Sequence, residues 1–225
     1  IGFAIARGLA EAGATVVLNG RDAKTLEPAA AELRTAGLNA SASVFDVCDA
    51  GAVARAVDAI ERDIGPIDIV VNNAGTQKRL PLEDFTLEQW REVLATNVDA
   101  AFLVGQAVAR KMIPRKRGKI INICSVTSEL GRATITPYST SKGAIKMMTK
   151  SMCAEWAKHG INVNVMGPGW FKPELNRARV ESESFHAWLV QRAPMGRWGE
   201  TPELAGAAIF LASDASSYVN GHILY

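Results

Sequence analysis

Short apolar runs alternate along the chain with longer stretches in which apolar residues recur every three or four positions. The runs at residues 15–18, 40–44, 67–71, 119–123 and 161–165, and a last one opening at Ile223, have the length and composition of strands. The stretches at 1–12, 23–36, 50–64, 86–112, 138–158 and 202–212 carry the helical period. Gly37 and the pair Gly65-Pro66 close two of these helices, and Thr86 is placed to cap the start of another. Strands that alternate with helices imply βαβ units and a parallel sheet. Several strands are nearly all apolar, as expected where helices cover both faces of a sheet. The pattern therefore predicts a single α/β domain over residues 1–225, a doubly wound parallel sheet. One segment, 170–199, breaks the rhythm and carries Trp170, Trp188 and Trp198. A long excursion of this kind in a compact α/β domain suggests a lid over a substrate, although tryptophans more often fill cores or oligomer contacts.

Composition narrows the class. The 225 residues hold 25 Lys+Arg and 23 Asp+Glu, a net charge of +2, which argues against a nucleic-acid partner. No run of 18 apolar residues exists, so no membrane span is expected. Cys48, Cys124 and Cys153 are an odd set without short spacing, which reads as free thiols in a reducing compartment, hence a cytoplasmic protein. The chain opens directly in a helical pattern and closes inside an apolar run, so both ends read as cut within structure.

Candidate chemistry gathers at strand ends. Tyr138 and Lys142 lie four residues apart on one predicted helix, a spacing that stacks them on one face. A free tyrosine titrates near ~10, and a neighbouring ammonium favours the phenolate. Ser125 stands thirteen residues before Tyr138, at the carboxyl end of the fourth strand, where open α/β sheets bind their ligands. A hydroxyl there can bond a carbonyl oxygen while Tyr138 passes it a proton. An isolated Tyr-x-x-x-Lys is weak evidence, but further signals accompany it. Asn72-Asn73-Ala74-Gly75 follows the third strand, Asp46-Val47 the second and Gly167-Pro168-Gly169 the fifth, while Asn97 sits inside the long helix.

In this order the motifs resemble the short-chain dehydrogenase/reductase family along essentially the whole chain. The resemblance implies a catalytic tetrad of Asn97, Ser125, Tyr138 and Lys142. Tyr138 would be the general acid and base, and Ser125 would orient the substrate oxygen. Lys142 would hold the nicotinamide ribose and lower the tyrosine pKa, and Asn97 would position a water of a proton relay. Asn73, Ala74 and Gly75 match the adenosine-side loop, Asp46 and Val47 the adenine pocket, and Pro168 and Gly169 the loop beside the nicotinamide. The family opens with a strand and a glycine-rich loop that cradles pyrophosphate at a helix N-terminus; here Ile1 and Gly2 match its end. Pro173 stands where the family often has threonine. The family usually forms tetramers through two long helices, here 86–112 and 138–158, so a homotetramer is expected.

Arg21 follows the strand 15–18 through Asn19-Gly20, with no acidic residue at the strand end. In dinucleotide folds an arginine there accommodates a 2′-phosphate, which favours NADP(H) over NAD(H); the bland alternative is a surface residue ahead of an Asp22 cap. Residues 123–132, 171–176 and 196–199 resemble the gluconate 5-dehydrogenase branch of the family. That branch implies interconversion of D-gluconate and 5-keto-D-gluconate, a substrate with a carboxylate and many hydroxyls. Gln77, Lys78, Arg79, Thr127, Ser128, Glu129 and Arg132 follow strand ends and suit such a ligand. Among them Ser125, Arg79, Glu129 and Arg132 are the candidate substrate contacts, and the forked guanidinium makes Arg79 or Arg132 the better carboxylate anchor than Lys78. Two alternatives stay open: a 3-oxoacyl-[acyl-carrier-protein] reductase, which shares the tetrad, and a non-catalytic dinucleotide-binding scaffold. His159, His186 and His222 lack a second ligand at metal spacing, so no metal site is assigned.

Overall fold

The computed structural model describes residues 1–172 and 183–225. The chain opens with α1 (Gly2–Glu11), then β1 (Val16–Gly20), α2 (Ala23–Thr35), β2 (Ala40–Val44), α3 (Ala50–Asp63) and β3 (Ile69–Asn72). The central part is α4 (Leu87–Leu94), α5 (Ala100–Arg115), β4 (Gly118–Ile123), α6 (Thr136–Trp156) and β5 (Ile161–Met166). Helices at Glu183–Arg192 and Ala205–Ala212 precede β6 (Ile223–Leu224). All strand pairs are parallel. β3, β4, β5 and β6 form one sheet in that order, and β1 pairs with β2 alone.

The period-two pattern of the central strands divides the core. Ile121 and Ile123 point to one face and meet Ile5 and Leu9 of α1 with Ala208 and Leu211 of the last helix. Ile120 and Val163 point to the other face and meet Val53 and Val57 of α3 with Val108 and Met112 of α5. Fully burying an aliphatic side chain is worth about 1.5–3 kcal/mol, so these two layers fix the sheet between its helices. At Gly8, α1 meets the last helix closely enough that a Cβ would lie 2.4 Å from that of Ala205. Two asparagines interrupt the apolar strands without being left unpaired. Asn122 donates to Thr149 Oγ1 at 2.8 Å and accepts from Asn72 at 2.8 Å. Asn164 donates to the Val219 carbonyl and accepts from the His222 N–H.

The parallel α/β fold stands as expected, with a groove of about 840 Å³ between β1 and β3 lined by Val16, Val17 and Leu18 opposite Ile69, Val70 and Val71. Two features differ from the sequence expectation. The long helix expected at 86–112 begins as foreseen, with a capping box between Thr86 and Gln89, but widens into a π-turn over Ala95–Asp99. It then runs past Met112 and through Pro114 to Arg115, ending at Lys116 with φ 53°. The helix expected at 202–212 is a tight 3-10 turn over Thr201–Leu204 followed by Ala205–Ala212.

Candidate active site

The carboxyl ends of β3, β4 and β5 open on a cavity of about 240 Å³. Each strand ends in a loop that lines it. Asn73 and Gly75 follow β3, Ser125 follows β4, and Pro168 and Gly169 follow β5. Helix α6 starts beside the cavity with Pro137 in its first turn, where a missing N–H costs nothing. Tyr138 and Lys142 therefore lie one turn apart on the face toward the cavity, with the ammonium 5.6 Å from the centre of the phenol ring.

Lys142 is 4% exposed, and its ammonium donates to the Ile123 carbonyl at 2.8 Å. Burial penalises the charged form and brings its pKa down to about 8. Burial also pushes the Tyr138 phenol above its ordinary value, while hydrogen bonding with Ser125 and the charge of Arg79 pull it back. The Lys142 ammonium, 5.6 Å from the ring centre, donates to the Ile123 carbonyl, and Arg79 is a second cation on the side of the phenolate. The Ser125 hydroxyl accepts from the Thr127 N–H at 3.2 Å, which holds the serine at the mouth of its loop.

Asn97 sits in the π-turn and is 2% exposed. The extra residue in such a turn displaces a side chain from the regular helical face, and these turns occur often at functional sites. Its amide oxygen accepts from the Thr76 N–H at 2.7 Å, and its amide nitrogen donates to the Thr76 carbonyl at 3.0 Å and to Ser141 Oγ at 2.8 Å. Ser141 in turn donates to the Tyr138 carbonyl at 2.7 Å. Both amide N–H groups of Asn97 are thus engaged with protein, and the side chain braces the loop after β3 against α6.

The other candidates divide by place. Ile1, Gly2, Arg79 and Arg132 line the same cavity as Ser125 and Tyr138. Val47 and Ala74 line the neighbouring groove. Arg21 and Asp46 lie at the ends of β1 and β2, outside both; Arg21 is exposed, and the Asp46 carboxylate accepts from the Cys48 N–H at 2.9 Å. Asn19 donates to the carbonyls of Ser43 and Phe45, which ties this end of β1 to β2. Glu129 is not brought to the cavity. It is held instead by Lys146 and by the Tyr225 hydroxyl, and Lys78 pairs with Glu92. Pro173 and the rest of residues 173–182 lie outside the described residues. The flanking parts of the expected lid meet in an aromatic cluster: Trp170 lies 5.2 Å from Phe185 and 5.8 Å from Trp198 between ring centres.

Trp170 of the expected lid lies in the cavity wall, whereas sequence reasoning missed Ser141 and Thr76. Ser141 falls three residues after Tyr138 and so shares its helix face; that spacing was its only sign. Thr76 acts through backbone groups, which no side-chain motif marks.

Comparison with known proteins gives a consistent picture. A family model described as Enoyl-(Acyl carrier protein) reductase matches residues 1–225. Gluconate 5-dehydrogenase of Gluconobacter oxydans (strain 621H) is 55% identical over 224 residues, covering 100% of this chain and 88% of that protein. 5-keto-D-gluconate 5-reductase of Escherichia coli (strain K12) is 52% identical, covering 100% of this chain and 89% of that protein. Among solved structures, a gluconate 5-dehydrogenase from Burkholderia cenocepacia J2315 in complex with NADP and tartrate is 52% identical. It superposes with a TM-score of 0.96 over 99% of this chain and 88% of its own.

Proposed function

The chain belongs to the short-chain dehydrogenase/reductase family, and from that premise we propose that it interconverts D-gluconate and 5-keto-D-gluconate with NADP(H). The single observation that carries this reading is one cavity holding Ser125, Tyr138 and Lys142 together with Arg79 and Arg132. The first three suit a secondary alcohol or ketone, and the arginines suit a carboxylate on the same molecule. An acyl-carrier-protein reductase would instead want an apolar channel. The names of the 52–55% identical relatives point the same way.

The residues also suit a dinucleotide. The first turn of α1 has no side-chain cap and no acidic residue, so its N–H groups are available to a phosphate. Gly2 lets the backbone run against Asn73, since a Cβ there would lie 2.5 Å from the Asn73 amide nitrogen. Arg21, exposed just beyond β1, would take a 2′-phosphate. When bound, NADP(H) supplies or accepts the hydride. Tyr138 then donates a proton to the carbonyl oxygen in reduction and removes it in oxidation, Ser125 holds that oxygen by a hydrogen bond, and Lys142 holds the ribose. Asn97 and Ser141 keep Tyr138 in register with Ser125.

We assign the protein to the cytoplasm as a homotetramer. Support for an assembly through the two central helices comes from Phe102 on α5 and Met147 on α6, large apolar side chains that remain 44% and 59% exposed. Segment 170–199 is assigned as the substrate lid, supported by Trp170 in the cavity wall. The decisive assay compares 5-keto-D-gluconate with an acetoacetyl thioester, each with NADPH. The sugar acid is expected to turn over faster, and the reverse order would replace this reading with the reductase. Arg21→Asp is expected to weaken NADPH use and improve NADH use; equal use of both cofactors by the unmutated enzyme would remove Arg21 from the argument.

A further inference from the structure

Two guanidinium groups line the cavity beside Ser125 and Tyr138. Arg79 comes from the loop after β3 and Arg132 from the loop after β4. Among the described residues neither is paired with a carboxylate. Glu92 pairs with Lys78 and Glu129 with Lys146. Arg79 Nη1 is buried with no hydrogen-bond partner. Arg132 is held without a carboxylate, its guanidinium lying 4.8, 5.4 and 5.7 Å from the ring centres of Trp170, Phe185 and Trp188. Thr127 Oγ1, in the wall of the same cavity, is also buried without a partner.

Each arginine feels its burial, and Arg79 feels the charge of Arg132 as well; both effects weigh against the cationic forms. Two like charges converging on one cavity, without a counter-charge among the described residues, are unfavourable in the free protein. A ligand that brings negative charge relieves this. A monocarboxylate relieves only part of it, since one guanidinium remains uncompensated. Stacking on the aromatic rings leaves the edge of the Arg132 guanidinium, where its N–H donors lie, available to such a ligand.

We propose that Arg79 and Arg132 form a receptor for two carboxylates, and that polyhydroxy dicarboxylic acids occupy the active site more tightly than the monocarboxylic sugar acid. The inference rests on the sugar-acid reading above and adds a ligand class to it. Aldaric acids then compete with the substrate at this site, one carboxylate on Arg79 and the other on Arg132 beside the aromatic cluster.

The test uses three ligands with one six-carbon polyol chain and two, one or no carboxylates: D-glucarate, D-gluconate and D-glucitol. Their affinities for the NADP-saturated enzyme are read by calorimetry. Each carboxylate is expected to tighten binding by about tenfold or more, the scale of a charge-assisted hydrogen-bonded pair. Arg79→Gln and Arg132→Gln should each bring glucarate down to the level of gluconate, and the double variant should level all three ligands. Glucarate binding no more tightly than gluconate overturns the proposal, as does a glucarate-to-gluconate ratio unchanged in both variants. If Arg132→Gln fails to bind NADPH, Arg132→Lys keeps a charge over the rings. It should retain part of the glucarate preference, which Arg79→Gln abolishes; equal retention in both overturns the receptor. Turnover of 5-keto-D-gluconate is measured separately. Its absence with the affinity order intact removes the sugar-acid reading and leaves the receptor, while turnover without the affinity order removes the receptor alone.

Discussion

The two ends of the active-site cavity are built on opposite terms. At the Tyr138 end, polar groups are engaged with protein: Asn97 with Thr76 and Ser141, Ser141 with Tyr138, and Lys142 with Ile123. At the Arg132 end, charged and polar atoms are left waiting, with Arg79 Nη1 and Thr127 Oγ1 buried and unpaired. A proton-transfer group must be held in one place before the substrate arrives, and satisfied hydrogen bonds hold it there. A group that recognises a charged substrate must keep its valence free. The cost of leaving it so falls on the stability of the free protein and is relieved on binding.

This contrast can be broken most directly at Tyr138. Tyr138→Phe keeps the ring and its packing but removes the proton, so kcat should fall by roughly 10²–10⁴-fold while NADPH affinity changes little. A near-normal kcat would mean that the ordered end is not where the proton moves.

Asn97→Ala tests whether the order is held by this network. It strips partners from the Thr76 N–H and carbonyl and from Ser141 Oγ. Ser141 still donates to the Tyr138 carbonyl, so the two half-buried Thr76 groups are left unpaired; at about 1–2 kcal/mol each denaturant unfolding should show a loss of about 2–4 kcal/mol, together with a lower kcat. A loss under about 1 kcal/mol would show that the brace carries little.

Lys142 belongs to the ordered end yet bears a cost of its own. Its folded pKa of about 8 lies below the ordinary 10.5, so between these values the unfolded chain binds more protons, and stability rises with pH across that window. Lys142→Met removes the penalty. At about 1.36 kcal/mol per pKa unit the gain is at most about 3 kcal/mol, less about 1 kcal/mol for the Ile123 carbonyl left without a donor. The variant should therefore melt higher than the parent at pH 7 while losing turnover, and its advantage should disappear by about pH 10. Thermal unfolding at the two pH values checks the sign.

The smallest effect is expected at the waiting end. Arg79→Gln removes a partly desolvated cation that Arg132 repels and whose Nη1 has no hydrogen-bond partner among the described residues, so stability should hold or rise slightly, by no more than about 1 kcal/mol. A loss several times larger would mean that Arg79 has a structural role and that the two ends do not differ as described.

Much of this was legible in the order of residues. The alternating runs marked the strands and helices because burial on both faces demands continuous apolar strands, and β2 falls at 40–44 as read. Tyr138 and Lys142 were legible because helical period alone puts residues four apart on one face. Other features depended on contacts between distant segments, which no local pattern records. The π-turn that carries Asn97 inward interrupts a helix whose sequence reads as regular. Glu129 and Arg132 follow the same strand three residues apart and looked equivalent as substrate contacts. Tertiary structure gave Glu129 to Lys146 and Tyr225 and left Arg132 on a wall of rings over the cavity. Sequence by itself determined which elements form and which reactive groups share a face, because both follow from local geometry. Only the tertiary structure decided which charges are neutralised and which are kept for a ligand, because that depends on what each side chain meets across the fold.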